Sequence, residues 1–225
     1  MHKSPSVLDR GLYSIAEAAH LLGLPPVTLR RWLEGYTSNG RFYEPVLRLE
    51  PTGSETVTWG EFVEAGLLRG YRDRGVSLHN RLRPFINDLR ERLGVPYPLA
   101  HGKPGIGPNR HLIRLAEDAA GLALEDERHQ RLISPLVEDF IDAVDWGVVE
   151  EVAERYWPLG REHNVVIDPD RAFGIPTVEG LRAEVLAELV NAGEPIAFVA
   201  DEYGISEQAV RDAVEWESRR GVRAA

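Results

Sequence analysis

Near the start of the chain the apolar residues recur at helical spacing. Ile15, Ala18, Ala19 and Leu22 fall at i, i+3, i+4 and i+7, which makes one face of a helix. Ser14, with Glu17 three residues on, is a capping-box pair for the N-terminus of that helix. Gly23 is a suitable stop, because glycine readily takes the left-handed conformation. Pro26 then suits the first turn of a second helix, where its missing N–H costs nothing. In that helix Leu29 and Leu33 share the inward face and Trp32 anchors it. Thr28 and Arg31 share another face, with Arg30 adjacent. Two short helices around a tight glycine turn predict a helix-turn-helix. In such a motif the second helix enters the DNA major groove, where arginine forks onto guanine or grips phosphate. The competing reading is an ordinary helical hairpin with solvated arginines.

The pattern then changes period. "EPVLRLEPTGSETVTW" (44–59) predicts strand, turn and strand, with Pro51-Thr52-Gly53 at the turn and Val57 and Thr58 on the return. This hairpin reads as a wing, and Arg48 on it as a phosphate contact. Thr58 and Glu61 form a second capping box. It opens a helix with Phe62, Leu67, Leu68 and Tyr71 apolar and Gly75 at its end. Leu78, Leu82, Phe85, Leu89 and Leu93 continue at steps of three or four, with a kink expected at Pro84.

Residues 13–80 resemble the DNA-binding domain of the MerR family of winged-helix regulators. "YSIAEAAHLLGLPPVTLRRWLEG" matches its opening helix-turn-helix, and "TWGEFVEAGLLRGYRDRGVSL" is similar to its helix after the wing. The resemblance implies a dimer reading DNA through recognition helix and wing. Thr28, Arg30 and Arg31 would then face DNA, with Ser14 counted among them and Arg48 as the wing contact. One departure is plain: "GVPYPLAHGKPGIGPNRH" replaces the family's long coiled coil.

Further along, residues 94–110 are rich in Pro and Gly and read either as a flexible linker or as part of a small β-hairpin between "YPLA" and "HLIRLA". Leu132, Leu136, Phe140 and Val144, at four-residue steps, predict one helix. The last 60 residues are the most patterned. "VVI" reads as a short buried strand. Leu181, Val185, Leu186 and Leu189 line a helix ending at Gly193. Pro195 opens another, with Ile196, Val199 and Ala200 inward. Ser206 caps a third that buries Ala209, Val210, Ala213 and Trp216. Glu207, Gln208, Asp212 and Glu215 give that last helix an outward acidic face, which suits DNA poorly. The expected organisation is a winged domain over 1–93, a connecting region over 94–160 and a three-helix, helix-turn-helix-like domain over 161–225. The fold class is mainly α with small β elements.

Composition adds a contrast between the halves. Residues 1–110 hold 15 Lys and Arg against 11 Asp and Glu, a balance of +4, and residues 111–225 hold 11 against 25, a balance of −14. That asymmetry suggests two modules with different partners. There is no cysteine, so disulfides, zinc fingers and thiol nucleophiles are excluded. The seven histidines are dispersed and no ligand motif appears, so neither a metal, a cofactor nor a catalytic residue is expected. No apolar run approaches the roughly 20 residues of a membrane span, and no signal peptide is evident, which points to the cytoplasm.

The C-terminal stretch resembles a small bacterial domain of unknown function found in antitoxins of toxin–antitoxin operons. "VVIDP", "FGIPTVEG" before Leu181-Arg182, and "AGEPIAFVADEYGISEQAVRDAV" carry the match. Leu181 stands where that family has threonine. A MerR-like front joined to such a back is similar to VapB-type antitoxins. The resemblance implies a type II antitoxin that neutralises a PIN-like ribonuclease toxin and represses its own operon as a homodimer on double-stranded operator DNA. Leu181, Val185, Leu189, Val210 and Trp216 are the expected dimer or toxin interface. The alternative is a one-component MerR-like regulator sensing a small organic effector.

Overall fold

A computed structural model describes residues 6–73, 76–101, 124–125, 131–132, 135–147 and 151–224. The fold is mainly helical with small antiparallel sheets. The chain divides into two compact units. One comprises Met1–Asp142 with Trp146–Ala153, the other Ala143–Asp145 with Glu154–Ala225. Residues 94–160, read from the sequence as a connecting region, contribute to both.

In the first unit, strand β1 (Gly11–Ser14) leads straight into helix α1 (Ile15–Leu21), and α2 (Pro26–Glu34) follows across a three-residue turn after Leu22. Ser14 and Glu17 close the capping box in both directions: Glu17 N donates to Ser14 Oγ at 3.2 Å and Ser14 N to Glu17 Oε2 at 2.8 Å. Gly23 has φ +62°, the left-handed turn needed between the helices. Leu29, Trp32 and Leu33 are buried, as their spacing predicts.

After α2 the chain departs from expectation. The hairpin that follows is β2 (Tyr36–Ser38) with β3 (Arg41–Tyr43), turning at Asn39-Gly40, both with positive φ. The predicted strand over 44–50 does not form. The Val46 and Leu47 amides both donate to Trp32 O, at 2.8 and 2.9 Å, and so leave no edge to pair. The return strand β4 (Thr56–Thr58) pairs instead with β1, Tyr13 opposite Val57 and Ser14 opposite Thr56. Arg48, expected on an exposed wing, is buried beneath this loop.

Helix α3 (Trp59–Arg72) starts at the Thr58–Glu61 capping box and runs through the middle of the unit, buried along almost its whole length. Gly66 lets the Phe140 ring sit on it; a Cβ there would lie 2.1 Å from the ring. Trp59 Nε1 donates to Ala153 O at 2.7 Å. Gly75, the expected end of this helix, lies outside the described residues. A π-helical turn (Leu78–Leu82) precedes α4 (Arg83–Leu93). Pro84 therefore occupies a first turn, where no amide is missed, and the expected kink resolves into this junction.

"YPLA" ends at Leu99 and Ala100, both buried, and pairs with residues 152–153: Ala153 N donates to Ala100 O at 3.0 Å. "HLIRLA" lies outside the described residues. The helix predicted from Leu132 to Val144 is shorter. Pro135 starts α5 (Pro135–Asp142), while Leu132 is in β6 (Arg131–Leu132), paired with β5 (Leu124–Glu125), and Val144 is in β7 (Val144–Trp146).

Strand β8 (Ala153–Tyr156) leads into the second unit, where β9 (Val165–Val166), β10 (Thr177–Val178) and β11 (Leu181–Arg182) form a small sheet. Three helices follow: α6 (Ala183–Asn191), α7 (Ile196–Tyr203) and α8 (Glu207–Ala224). Glu179 and Gly180, at φ +50° and +89°, make the β10–β11 turn, so Leu181 is a strand residue opposite Val178 and not the first residue of a helix. The inward face of α6 is Ala183, Leu186 and Ala187, while Val185 is 40% exposed. Ala209, Val210, Ala213 and Trp216 are buried as predicted. Asp212 is not on the outward acidic face. It is fully buried and accepts from Asn164 N (2.8 Å), Asn164 Nδ2 (2.7 Å) and Gln208 Nε2 (2.9 Å), with His163 Nδ1 at 3.1 Å. These bonds tie α8 to the segment entering β9.

Candidate nucleic-acid interface

The outward side of α2 and the β2–β3 hairpin bring arginine and aromatic side chains together. Trp32 and Leu33 fix the helix by burial, which leaves Arg30 and Arg31 exposed and Thr28 half-buried. The Arg31 guanidinium lies 5.0 Å from the centroid of the Tyr36 ring. Tyr36 stacks on Tyr43 at 5.0 Å and 11°, and Arg41 lies 5.3 Å from Tyr43. The result is a ladder, Arg31–Tyr36–Tyr43–Arg41, that spans helix and hairpin. It exists because Tyr36 and Tyr43 are directly opposed in the two-residue hairpin. His79 leans on both tyrosines at 5.6 and 5.1 Å, and its pKa is lowered by burial, then by Arg83 and Arg41. Phe42 and Val27 are also largely exposed.

Arg30 is occupied differently. Its two terminal nitrogens fork onto the Glu55 carboxylate, Nη1 to Oε1 and Nη2 to Oε2, the latter at 2.6 Å. Each group shifts the other towards the charged state, chiefly through this hydrogen bond: the Arg30 pKa rises and the Glu55 pKa falls.

Of the residues singled out from sequence, Thr28, Arg30 and Arg31 share this side of the molecule. Ser14 is committed to its cap. Arg48 is not available to a phosphate. Its Nε and Nη2 donate to Glu61, at 2.7 and 3.3 Å, and Nη1 donates to Glu34, to Thr52 Oγ1 at 2.7 Å and to Ser54 O at 3.2 Å. Nη2 also reaches Thr56 O at 2.9 Å. Glu34 in turn accepts from the Thr52 and Gly53 amides at 3.0 and 2.8 Å. Burial opposes the charge on Arg48, but the bonds to Glu61 and Glu34 outweigh it and its pKa is raised. Arg48 is a fastener of loop 44–55. Arg41, Tyr36 and Tyr43 were not foreseen, although Asn39-Gly40 is a strong two-residue hairpin signal.

In the second unit, Val210 and Trp216 are buried within the helical bundle, so of the five expected interface residues only Leu181, Val185 and Leu189 keep exposed surface. His163, Asp212 and Glu215 place potential metal-binding atoms within 4.8 Å of one another. The Asp212 oxygens, however, already accept the bonds that hold α8 in place. No helix among the described residues is long and apolar enough to cross a membrane.

Known proteins match a C-terminal segment of the chain and nearly its whole length. Residues 165–216 match the DUF433 family, a protein family of unknown function. Over 226 residues the chain is 34% identical to the uncharacterized protein Rv2308 of Mycobacterium tuberculosis, covering 94% of this chain and 92% of that one. It is 30% identical to "Putative antitoxin VapB45" of the same organism, covering 92% and 94%. The crystal structure of Rv2018 from Mycobacterium tuberculosis superposes with a TM-score of 0.71 at 27% identity, over 93% of this chain and all of that one. The chain belongs to the family that contains Rv2308 and VapB45.

Proposed function

We propose that this protein is a type II antitoxin. Its first unit binds operator DNA as a MerR-like winged helix, and its second unit engages a PIN-like ribonuclease toxin. The observation that carries the DNA-binding half is the joint presentation of Arg30, Arg31 and Arg41 by α2 and the adjoining hairpin. A helix stands beside a β-ribbon, with cations on both, and this suits a groove and its flanking phosphates. In this reading the β2–β3 hairpin acts as the wing, and not the loop at 44–55.

The toxin half is supported by the name of the relative VapB45 and by charge. A ribonuclease presents a cationic surface to its substrate, and residues 111–225 carry a balance of −14. A homodimer is the expected assembly, since paired half-sites need two copies. No group here is assigned a catalytic role.

The test has two arms. In a gel-shift titration on the DNA upstream of its own coding sequence, Arg30→Ala with Arg31→Ala should abolish specific binding, each base contact being worth about 1–3 kcal/mol. Co-expression with the neighbouring reading frame should suppress a ribonuclease activity that this frame shows alone. DNA binding without any such suppression would favour the alternative, a MerR-like regulator responding to a small organic effector.

A further inference from the structure

The Arg30–Glu55 fork takes the end of the guanidinium that would otherwise meet nucleic acid. A carboxylate with two oxygens side by side offers the same pair of acceptors as a phosphate or the O6/N7 edge of guanine. Both terminal nitrogens of Arg30 are bound to it, so neither is free for an end-on contact. The pair is at the surface: the side chains are 50% and 63% exposed. Exposed ion pairs of this kind are worth little, so the fork can open when a better anion arrives. Glu55 is nevertheless held in place, because its backbone carbonyl accepts from Ile15 N at 3.1 Å at the junction of β1 and α1. The competitor is thus built into the frame that carries α2, and is not a stray side chain.

We infer that Glu55 is an intramolecular competitor for Arg30 that suppresses indiscriminate binding to nucleic acid. A duplex must displace the carboxylate before the end of the Arg30 guanidinium can fork onto it. A backbone phosphate and the guanine edge each offer the same two-point contact as the carboxylate, so Glu55 competes with both. Binding to any duplex through the end of Arg30 therefore carries the cost of opening the fork. This rests on the DNA-binding reading above and adds an internal competitor to it.

The experiment measures binding of the full-length protein to a 30-base-pair duplex of mixed sequence by fluorescence anisotropy across a KCl series. Glu55→Gln keeps the size of the side chain and removes its charge; Glu55→Ala serves as a second variant, and thermal melting checks that both fold. Glu55→Gln should tighten binding about 3- to 10-fold at low salt and steepen the plot of log affinity against log salt by about 0.9, the value of one added phosphate contact. Adding Arg30→Ala should erase that gain. Wild-type binding with no tightening in either Glu55 variant overturns the competitor role and leaves the DNA-binding reading standing. Weaker binding by Glu55→Gln also overturns it, because Glu55 would then be a support for Arg30. Binding by Glu55→Gln where wild type shows none supports it. No binding by any variant overturns both readings.

Discussion

Glu64 and Arg90 face each other in the interior with their closest charged atoms, Oε2 and Nη2, 3.6 Å apart, too far for a hydrogen bond. The other oxygen of Glu64 accepts from Leu99 N at 3.0 Å, while Oε2 has no hydrogen-bond partner among the described residues. Arg90 spends its donors elsewhere, on Leu47 O, on Pro96 O at 3.0 Å and on Asn87 Oδ1 at 3.0 Å. Burial pushes the Glu64 carboxyl up to about 7, and the Arg90 charge only partly offsets this.

A carboxyl raised in the folded state makes stability fall with rising pH. Between the ordinary value of 4.5 and about 7 the unfolded chain has released the proton and the folded chain still holds it. Stability from this group is greatest below 4.5, declines through that window by about 3 kcal/mol at most, and is level above it. Glu64→Gln should flatten the decline. Urea titrations of both proteins at pH 5 and pH 8 check this. The expected outcome is a smaller loss between the two pH values for the variant; an equal loss in both would show that Glu64 does not titrate in this range.

Arg48 gives the opposite kind of prediction. Its replacement by methionine leaves Glu34 and Glu61 without their shared cation in a largely buried setting. Breaking such a pair costs about 3–5 kcal/mol. The effect should appear as lost stability in chemical denaturation. DNA affinity of the fraction that remains folded should not change, since the guanidinium has no surface to offer. Normal stability with weakened DNA binding would restore Arg48 to the interface.

Arg48 and Asp212 mark where local sequence stops being informative. The capping boxes at Ser14 and Thr58 were legible because each is closed within three residues. The inward faces of α2 and α8 were legible because burial follows helical spacing. Arg48 was misread because its carboxylate partners, Glu61 and Glu34, are 13 and 14 residues away, and nothing in "VLRLE" distinguishes a solvated arginine from a fastener. Asp212 was misread in the same way, its partners Asn164 and His163 lying 48 and 49 residues earlier. The hairpin was a different failure. Asn39-Gly40 sits between Tyr36-Thr37 and Phe42-Tyr43, a local signal that was present and passed over in favour of the longer "EPVLRLEPTGSETVTW". The β-branched return at Val57 was a real strand, but its partner is β1, which no local pattern specifies.

Asp212 should behave as a structural anchor. Burial alone would raise its pKa, but the bonds from Asn164, Gln208 and His163 outweigh this and hold it below the ordinary value. A depressed carboxyl adds stability above the unfolded pKa and loses it as pH falls through the folded one. Asp212→Ala removes the buried carboxylate that these half-buried and exposed donors share, and a hydrogen bond to a charged group is worth about 1.5–3 kcal/mol. Hydrogen exchange of amides 207–220 at neutral pH should be markedly faster in the variant. Acidification below pH 4 should lower the protection of the same amides, taken relative to their intrinsic exchange rate at that pH, in wild type and change that of the variant little. Protection that survives the substitution would remove the anchoring role.

The last prediction separates the charge of the arginines from their placement. Arg31 and Arg41 are held over the two stacked tyrosines, so part of their worth to a nucleic acid is that they are already positioned. An exposed cation–π contact is worth about 0.5–1 kcal/mol. Tyr36→Ala removes the rung under Arg31 and no charge. It should weaken duplex binding about 2- to 5-fold while leaving the salt slope nearly unchanged, because the number of phosphates neutralised stays the same. Arg41→Ala removes a charge at the hairpin and should lower both the affinity and the slope, the slope by about 0.9. Tyr36→Phe keeps the ring and should bind as wild type does. Anisotropy titrations over a KCl series read affinity and slope together. If Tyr36→Ala bound like wild type, the ladder would be a packing feature of the hairpin alone. If Arg41→Ala left the slope unchanged, the hairpin would not touch the backbone, and α2 would have to account for binding without a wing.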